Sequence, residues 1–377
     1  MKFLHTSDLH LGKKLEGVDR LEEQKEVLDE IVDICKREKV DVVLVAGDVF
    51  DTFVPPAEAE KVFFDWATHL AEDDRKVVMI SGNHDDALRL SASNPFAEKM
   101  GIFIAGGLDN NFTEVDSGKG YLIIEKANEK VFIGLLPYPN EARFKEEDSG
   151  EDYLEKMKRW LSVGINQNTE NLPSILVGHF YTLGGAVSES ERSIDLGGAR
   201  SVSKEILPDC NYIALGHLHK RQVASKSKNA YYSGAILEYA FDEVGSQKSV
   251  NVFEINGGVT ENFKQIPLKM GKRLVNLEAN GFADALEVLQ NYKDNYVKLT
   301  LFLDGPLSET ETKTLKNEFP NVIKYCYEFS ELKSFIKESR KALTDEQLFE
   351  GYYKQKYSKT PPKELITTFL EIINEAD

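Results

Sequence analysis

The stretch from Asp41 to Asp51, DVVLVAGDVFD, constrains the fold of this chain more than any other. Val42 to Ala46 form an apolar run rich in β-branched residues, cut off by Gly47 and followed at once by Asp48. Such a run reads as a strand buried on both faces, the kind a parallel sheet requires. A carboxylate just past the carboxyl end of that strand stands where open α/β sheets bind ligands. One aspartate in such a place is commonly a solvated turn residue. Four other strand ends in this sequence carry the same kind of side chain, and the repetition is what carries meaning.

Lys2 to Thr6 reads as an opening strand and leads to Asp8 and His10. Val77 to Ile80 runs into Gly82-Asn83-His84-Asp85, Ile175 to Val177 into Gly178-His179, and Tyr212 to Leu215 into Gly216-His217-Leu218-His219. Between the first strands, Leu21, Leu28, Ile31, Val32 and Cys35 recur at helical spacing, which predicts a helix over Arg20–Arg37. A second helix is expected over Ala57–Leu70, so the chain opens as a β-α-β unit. Glu141 to Lys158 is charged and reads as a surface connection with some helix. Thr182 to Ser203 is Gly- and Ser-rich and too long for a plain turn, a length that loops usually reach for function or through disorder. Tyr231–Ile236 and Val250–Ile255 are expected to close the domain as strands.

Near Lys269-Met270-Gly271 the pattern changes. Strands at Leu274–Leu277, Tyr296–Phe302 and Val322–Tyr327 alternate with helices, one over Ala283–Tyr292 and one opened by a Ser308/Glu311 capping box. This is a small β-α-β-α-β module without evident catalytic side chains. Beyond Leu332 the chain is helical, with a second capping box at Thr344/Gln347 and Pro361-Pro362 opening a final helix. That helix sets Leu365, Ile366, Phe369, Leu370 and Ile373 on one face, which either packs on its own domain or binds a partner. The expected division is 1–270, 271–332 and 333–377.

Of seven histidines, His10, His84, His179, His217 and His219 sit at expected strand ends, beside Asp8, Asp48 and Asn83. A single histidine is usually a core or surface residue; five at equivalent places in the topology point to metal ligation. Oxygen and imidazole donors without thiolate suit manganese, iron or zinc and not a structural zinc cage. Asp8, His10, Asp48, Asn83, His179, His217 and His219 are more donors than one ion uses, so two divalent ions are expected. Paired ions suit hydrolysis by in-line displacement at phosphorus. The three cysteines, Cys35, Cys210 and Cys326, fit neither a disulfide framework nor a thiolate metal site, and with no apolar leader or membrane span they suggest the cytoplasm. A net charge of −17 argues against binding nucleic acid by bulk electrostatics. Two divalent ions set against Asp8 and Asp48 would leave a local charge of about +2, enough to draw a phosphodiester.

DxH, GD, GNHD, GH and GHxH in this order resemble the calcineurin-like metallophosphoesterase family over roughly residues 1–270. The resemblance implies a β-sandwich flanked by helices, an α/β fold, followed by a small α+β capping domain and a helical tail. It is closest for the family's DNA nuclease subunits, through HTSDLHLGK, AGDVFDT with Pro55-Pro56, SGNHD, SESER before GHLH, and YYSGAILEYAF. Leu9 departs from the tryptophan many members carry and leaves the donors untouched. The resemblance implies one ion held by Asp8, His10, Asp48 and His219 and another by Asp48, Asn83, His179 and His217, with manganese the expected metal. His84 would act as general acid or stabilise transition-state charge, with Asp85 orienting it or serving only as a turn cap, and Asp51 would lie behind the ligands. The implied activities are exonuclease on duplex ends, 3′ to 5′, and endonuclease on single strands and hairpins. The implied partner is a coiled-coil ATPase bound by the tail, two copies of each chain forming the complex. This chain has no G-x-x-x-x-G-K-[ST] loop, so ATP hydrolysis is expected of the partner. Two other readings share the motifs: a hydrolase of nucleotides, phosphoproteins or small phosphodiesters, and a metal-stabilised scaffold without activity.

Overall fold

The structure, a computed structural model, describes residues 1–107, 120–140, 150–191, 201–329, 344, 346–347, 349–350, 353–354 and 359–374. The chain divides into two compact units, Met1–Val275 with Asp294–Tyr296, and Asn276–Lys293 with Val297–Asp377.

The first unit is built on two six-stranded sheets. Its strands in chain order are β1 (Lys2–Thr6), β2 (Val42–Ala46), β3 (Lys76–Ile80), β4 (Ile102–Ala105), β5 (Tyr121–Lys126), β6 (Glu129–Leu136), β7 (Ser174–His179), β8 (Tyr212–Gly216), β9 (Gln222–Ser225), β10 (Ala230–Tyr232), β11 (Ser249–Asn256) and β12 (Val259–Pro267). One sheet has the order β12-β11-β1-β2-β3-β4, the other β5-β6-β7-β8-β10-β9. The middle of each is parallel, β1 to β4 in the first and β6, β7, β8 and β10 in the second, with antiparallel strands at the margins. All carboxyl ends of the parallel strands therefore open on one side of the unit.

Period-two alternation sorts the side chains of β2 between two cores. Val42, Leu44 and Ala46 join Phe3, Val78, Ile133, Val177 and Leu215 between the sheets. Val43 and Val45 turn the other way, with Val77 and Met79, onto helices α1 (Leu21–Glu38) and α2 (Ala57–Leu70). Burying such side chains contributes about 1.5–3 kcal/mol each, which is why this run tolerates no charge until Asp48. Trp66 on α2 donates its indole N–H to the Leu28 carbonyl on α1 at 3.0 Å and locks the two helices together. A helix at Tyr153–Asn166 brings Met157, Trp160 and Leu161 against the second sheet. His5, inside β1, faces the core between the sheets, its Nδ1 3.1 Å from the Tyr212 hydroxyl. Burial pulls its pKa down to about 3, so it is a neutral core histidine.

The expected strand at Tyr231–Ile236 ends early, at Tyr232. Ser233 turns inward there to meet Ser7, Oγ to Oγ at 2.8 Å, and Gly234 follows with φ 79°.

A three-stranded sheet of order β13 (Leu274–Asn280), β14 (Tyr296–Leu303) and β15 (Val322–Phe329) lies in the second unit except for Leu274, Val275 and Tyr296, with helices at Gly281–Leu289 and Glu309–Glu318. Leu299, Leu301, Ala285, Leu289, Leu315 and Phe319 form its core. The Ser308/Glu311 capping box is present in full. At Thr344/Gln347, the Thr344 N–H donates to Gln347 Oε1 at 3.0 Å and the Gln347 N–H to Thr344 Oγ1 at 3.4 Å. The final helix runs from Lys363 to Asn374. Its expected stripe divides: Ile366 is buried, Phe369 stacks on Phe349 with ring centroids 4.1 Å apart, and Leu365 is exposed. The side chains of Leu370 and Ile373 lie outside the described residues.

Candidate metal centre

The loops after β1, β2, β3, β7 and β8 close on one point at the carboxyl ends of the strands. The N–H of Asp8 donates to the Gly47 carbonyl and that of His10 to the Asp48 carbonyl, each at 3.0 Å, so the first two loops run side by side. A side chain at Gly47 would run into the His179 ring, and one at Gly82 into the Asp48 carboxylate and backbone. The glycines of the GD and GN motifs thus answer to crowding around a shared centre. Asp8, His10, Asp48 and His217 all hold positive φ, at 53°, 46°, 50° and 105°, a conformation that costs non-glycine residues on the order of 1 kcal/mol or more each. Nine other non-glycine residues among those described share this conformation, but only here do four of them meet at one buried cluster.

The seven candidate ligands form one buried cluster. His10 Nε2 and His219 Nε2 approach to 3.0 Å, and His10 Nε2 lies 3.5 Å from Asp48 Oδ2. Asp48 Oδ2 is also 3.4 Å from His179 Nε2. Asn83 Oδ1 sits 3.0 Å from His179 Nε2 and 3.1 Å from His217 Nδ1. Asp8 closes the ring by accepting the His217 backbone N–H at 3.0 Å. Donor atoms of Asp8, His10 and His219, of Asp8, Asp48 and His179, and of His10, Asp48 and His84 all lie within 4.8 Å of one another.

The donor chemistry fits cations. His179 Nδ1 is 2.8 Å from the Ala46 carbonyl, which can only accept, so the ring proton resides on Nδ1. Its Nε2 lone pair then faces two oxygen acceptors, Asn83 Oδ1 and Asp48 Oδ2. Such an arrangement needs either an extra proton on His179 or a positive ion among the three atoms. Electrostatics state the same demand. Burial alone would lower His179, but the Asp48 carboxylate prevails and lifts it to about 9, a proton supplying the positive charge the site calls for. Burial raises Asp8 to about 8. It would raise Asp48 likewise, but His179, His84 and His10 hold that carboxyl well below the usual range. Burial drops His10 and His217 to about 3, which keeps them neutral as ligation requires.

His84 and Asp85 occupy distinct places. His84 donates its backbone N–H to Asp48 Oδ1 at 2.8 Å, and its Nδ1 lies 2.8 Å from the Asp51 carbonyl oxygen. The Asp85 carboxylate accepts the N–H groups of Gly82, Phe50 and Val49 at 2.8, 2.9 and 3.1 Å. Asp85 therefore bridges the β2 and β3 loops through their backbones, while the His84 ring is held by the Asp51 carbonyl. The Asp51 carboxylate is 3.3 Å from His10 Nδ1 and 2.8 Å from Lys13 Nζ.

Of the groups behind His219, Ser190 and Glu191 lie in the SESER segment already singled out, without a role for either, while Glu243 and Lys248 carry no periodic or motif signal. Ser190 Oγ lies 2.5 Å from His219 Nδ1 and donates to Glu243 Oε1 at 2.5 Å. Lys248 donates to Glu243 Oε2 at 2.5 Å and to the His219 carbonyl at 3.0 Å. Glu191 accepts the His219 backbone N–H at 2.6 Å. Gln24 is equally unmarked: it leaves the buried face of α1 to donate to the His10 carbonyl at 2.7 Å. Polar residues buried singly in loops and helices leave no periodic trace.

Facing sheets with a histidine, carboxylate and carboxamide centre at their strand ends define a metallophosphoesterase. Residues 1–221 match the calcineurin-like phosphoesterase family, and the chain belongs to it. Its relatives narrow the comparison. It is 36% identical over 389 residues to the SbcD subunit of the nuclease SbcCD from Bacillus subtilis (strain 168), an alignment covering 99% of this chain and 97% of that protein. To the SbcD subunits from Staphylococcus saprophyticus and Staphylococcus epidermidis it is 30% and 29% identical, over 94% of this chain and 92% and 93% of theirs.

Proposed function

We propose that this chain is the nuclease subunit of a DNA-processing complex and hydrolyses phosphodiester bonds with two divalent ions, manganese foremost. One observation carries the reading: seven buried donors converge at the strand ends of a chain similar over nearly its whole length to the SbcD subunit of the nuclease SbcCD.

In this reading Asp8, His10, Asp48 and His219 hold one ion, and Asp48, Asn83, His179 and His217 the other, with Asp48 shared. Bound there, the ions supply Lewis acidity and positive charge to an in-line displacement at phosphorus. The chain's own groups do the rest. The Ala46 carbonyl fixes the His179 proton on Nδ1 and turns Nε2 inward. The Asp51 carbonyl fixes a His84 proton on Nδ1, so His84 would give a proton to a leaving oxygen from Nε2 of the doubly protonated ring and be left neutral with Nδ1–H. Asp85 keeps the loops bearing Asp48 and His84 in register through three backbone hydrogen bonds.

The substrates on this reading are duplex ends, attacked 3′ to 5′, and single strands and hairpins, attacked internally, in DNA repair, recombination and replication. An SbcC-type coiled-coil ATPase is the partner, with two copies of this chain in a heterotetramer. The setting is the cytoplasm, in keeping with three free cysteines and, among the described residues, no helix long and apolar enough to cross a membrane. The test is metal-free protein reloaded with Mn²⁺ and offered labelled duplex, hairpin and single-stranded DNA beside a small phosphodiester. Chelator-sensitive DNA cleavage is expected. Turnover of the small ester alone would favour a hydrolase of nucleotides or small phosphodiesters, and two bound ions without turnover would favour a scaffold.

A further inference from the structure

We infer that Ser190, Glu243 and Lys248 form a one-way hydrogen-bond relay that fixes the ring of His219 with its Nε2 lone pair aimed into the metal centre. The inference rests on the reading above in which His219 is a ligand.

Direction follows from what each group can donate. The Lys248 ammonium is donor only, and it gives a hydrogen bond to Glu243. Glu243, ion-paired through Oε2 with the buried Lys248 ammonium, is acceptor only. It therefore takes the single Ser190 hydroxyl proton. Ser188 Oγ also stands 2.7 Å from Ser190 Oγ and 3.2 Å from Glu243 Oε1, but the shorter contact to Glu243 is that of Ser190. With its proton there, Ser190 Oγ accepts from His219 Nδ1, which puts the imidazole proton on Nδ1. Nε2 is left as a lone pair, 3.0 Å from the Nε2 of His10.

The cluster holds His219 at every other polar atom as well. Its backbone N–H goes to Glu191 and its carbonyl receives Lys248. Glu243 and Lys248 are 1% and 3% exposed, a burial that an ion pair tolerates only when its remaining valences are used. Here one goes to the Ser190 hydroxyl and another to the His219 carbonyl. These are positioning residues: they touch His219 and act through it. Hydrogen bonds behind a metal-ligating histidine set its tautomer and basicity.

The experiment titrates Mn²⁺ into metal-free protein by calorimetry and reads the His219 tautomer by ¹⁵N NMR, for wild type, Ser190→Ala, Ser190→Thr and His219→Ala. Ser190→Ala is expected to weaken one of two Mn²⁺ sites by about 10–100-fold and spare the other, while Ser190→Thr, which keeps the hydroxyl, stays within about threefold of wild type. Metal-free wild type is expected to show the Nδ1–H tautomer, a readout that needs no variant to fold. An Nε2–H tautomer overturns the inference. So does unchanged affinity in Ser190→Ala where His219→Ala loses a site. Full affinity at both sites in His219→Ala would instead overturn the reading of His219 as a ligand, and the relay with it.

Discussion

Asp48→Asn tests the centre most directly, because the change is nearly isosteric and removes one charge. The Asp48 carboxylate stands between two imidazoles, 3.5 Å from His10 Nε2 and 3.4 Å from His179 Nε2, where both proposed ions need it. Two unit charges about 4 Å apart interact by about 4 kcal/mol at an effective dielectric of 20, and a divalent ion doubles that. An amide oxygen retains part of the donation. If half of the resulting ~8 kcal/mol is lost, affinity falls by about three orders of magnitude. The asparagine Oδ1 can still accept the His84 N–H, now 2.8 Å from the carboxylate, so the loop has reason to persist. The assay is calorimetric Mn²⁺ titration with parallel DNA cleavage, after circular dichroism has shown that the metal-free variant folds. Retention of two ions with affinity and cleavage within tenfold of wild type would refute a shared, charge-carrying Asp48.

His84→Ala is expected to keep both ions and DNA binding and to lose about 10²–10⁴ in turnover, since its proposed task is proton transfer; metal loss in calorimetry would show that the imidazole ligates instead. Asp85→Ala strands the N–H groups of Gly82, Val49 and Phe50. At about 1–3 kcal/mol for each buried donor left unpaired, stability should fall by about 3 kcal/mol or more, read in denaturant melts of metal-free protein. A variant as stable as wild type would mean that water replaces the carboxylate.

The parts of this molecule that could be read from its sequence are those whose cause is local. β2 announces itself because both faces of Val42–Ala46 are buried, leaving no polar residue until the strand stops. The GD, GNHD and GHLH motifs were legible for a related reason: the glycine that lets loops crowd together stands next to the side chain they crowd around. β12 lacks such a cause. Val259–Pro267 is largely exposed and held by backbone pairing with β11, so neither composition nor alternation marks it. β5 and β9, also at sheet margins, escaped in the same way, whereas β4 and β6 went unread although most of their residues are buried. Asp85 shows a different limit. Beside orienting His84, the sequence offered it a turn-capping part, and its carboxylate does accept the Gly82 N–H; the contacts it also makes to Val49 and Phe50, more than thirty positions away, have no local trace. Ser190 stands in the SESER segment the sequence did single out, but its meeting with Glu243 and Lys248 is made only by the fold.

The left-handed backbone at Asp8, His10, Asp48 and His217 bears on any attempt to redesign this scaffold. A procedure that ranks residues by fit to local backbone would prefer glycine or asparagine at each of these positions. It would also prefer a neutral side chain wherever a buried carboxylate faces another acceptor. Optimised in that way the chain would melt at a higher temperature, and the first thing erased would be its chemistry. At these four positions the residue that suits the backbone and the residue that suits the chemistry are different ones.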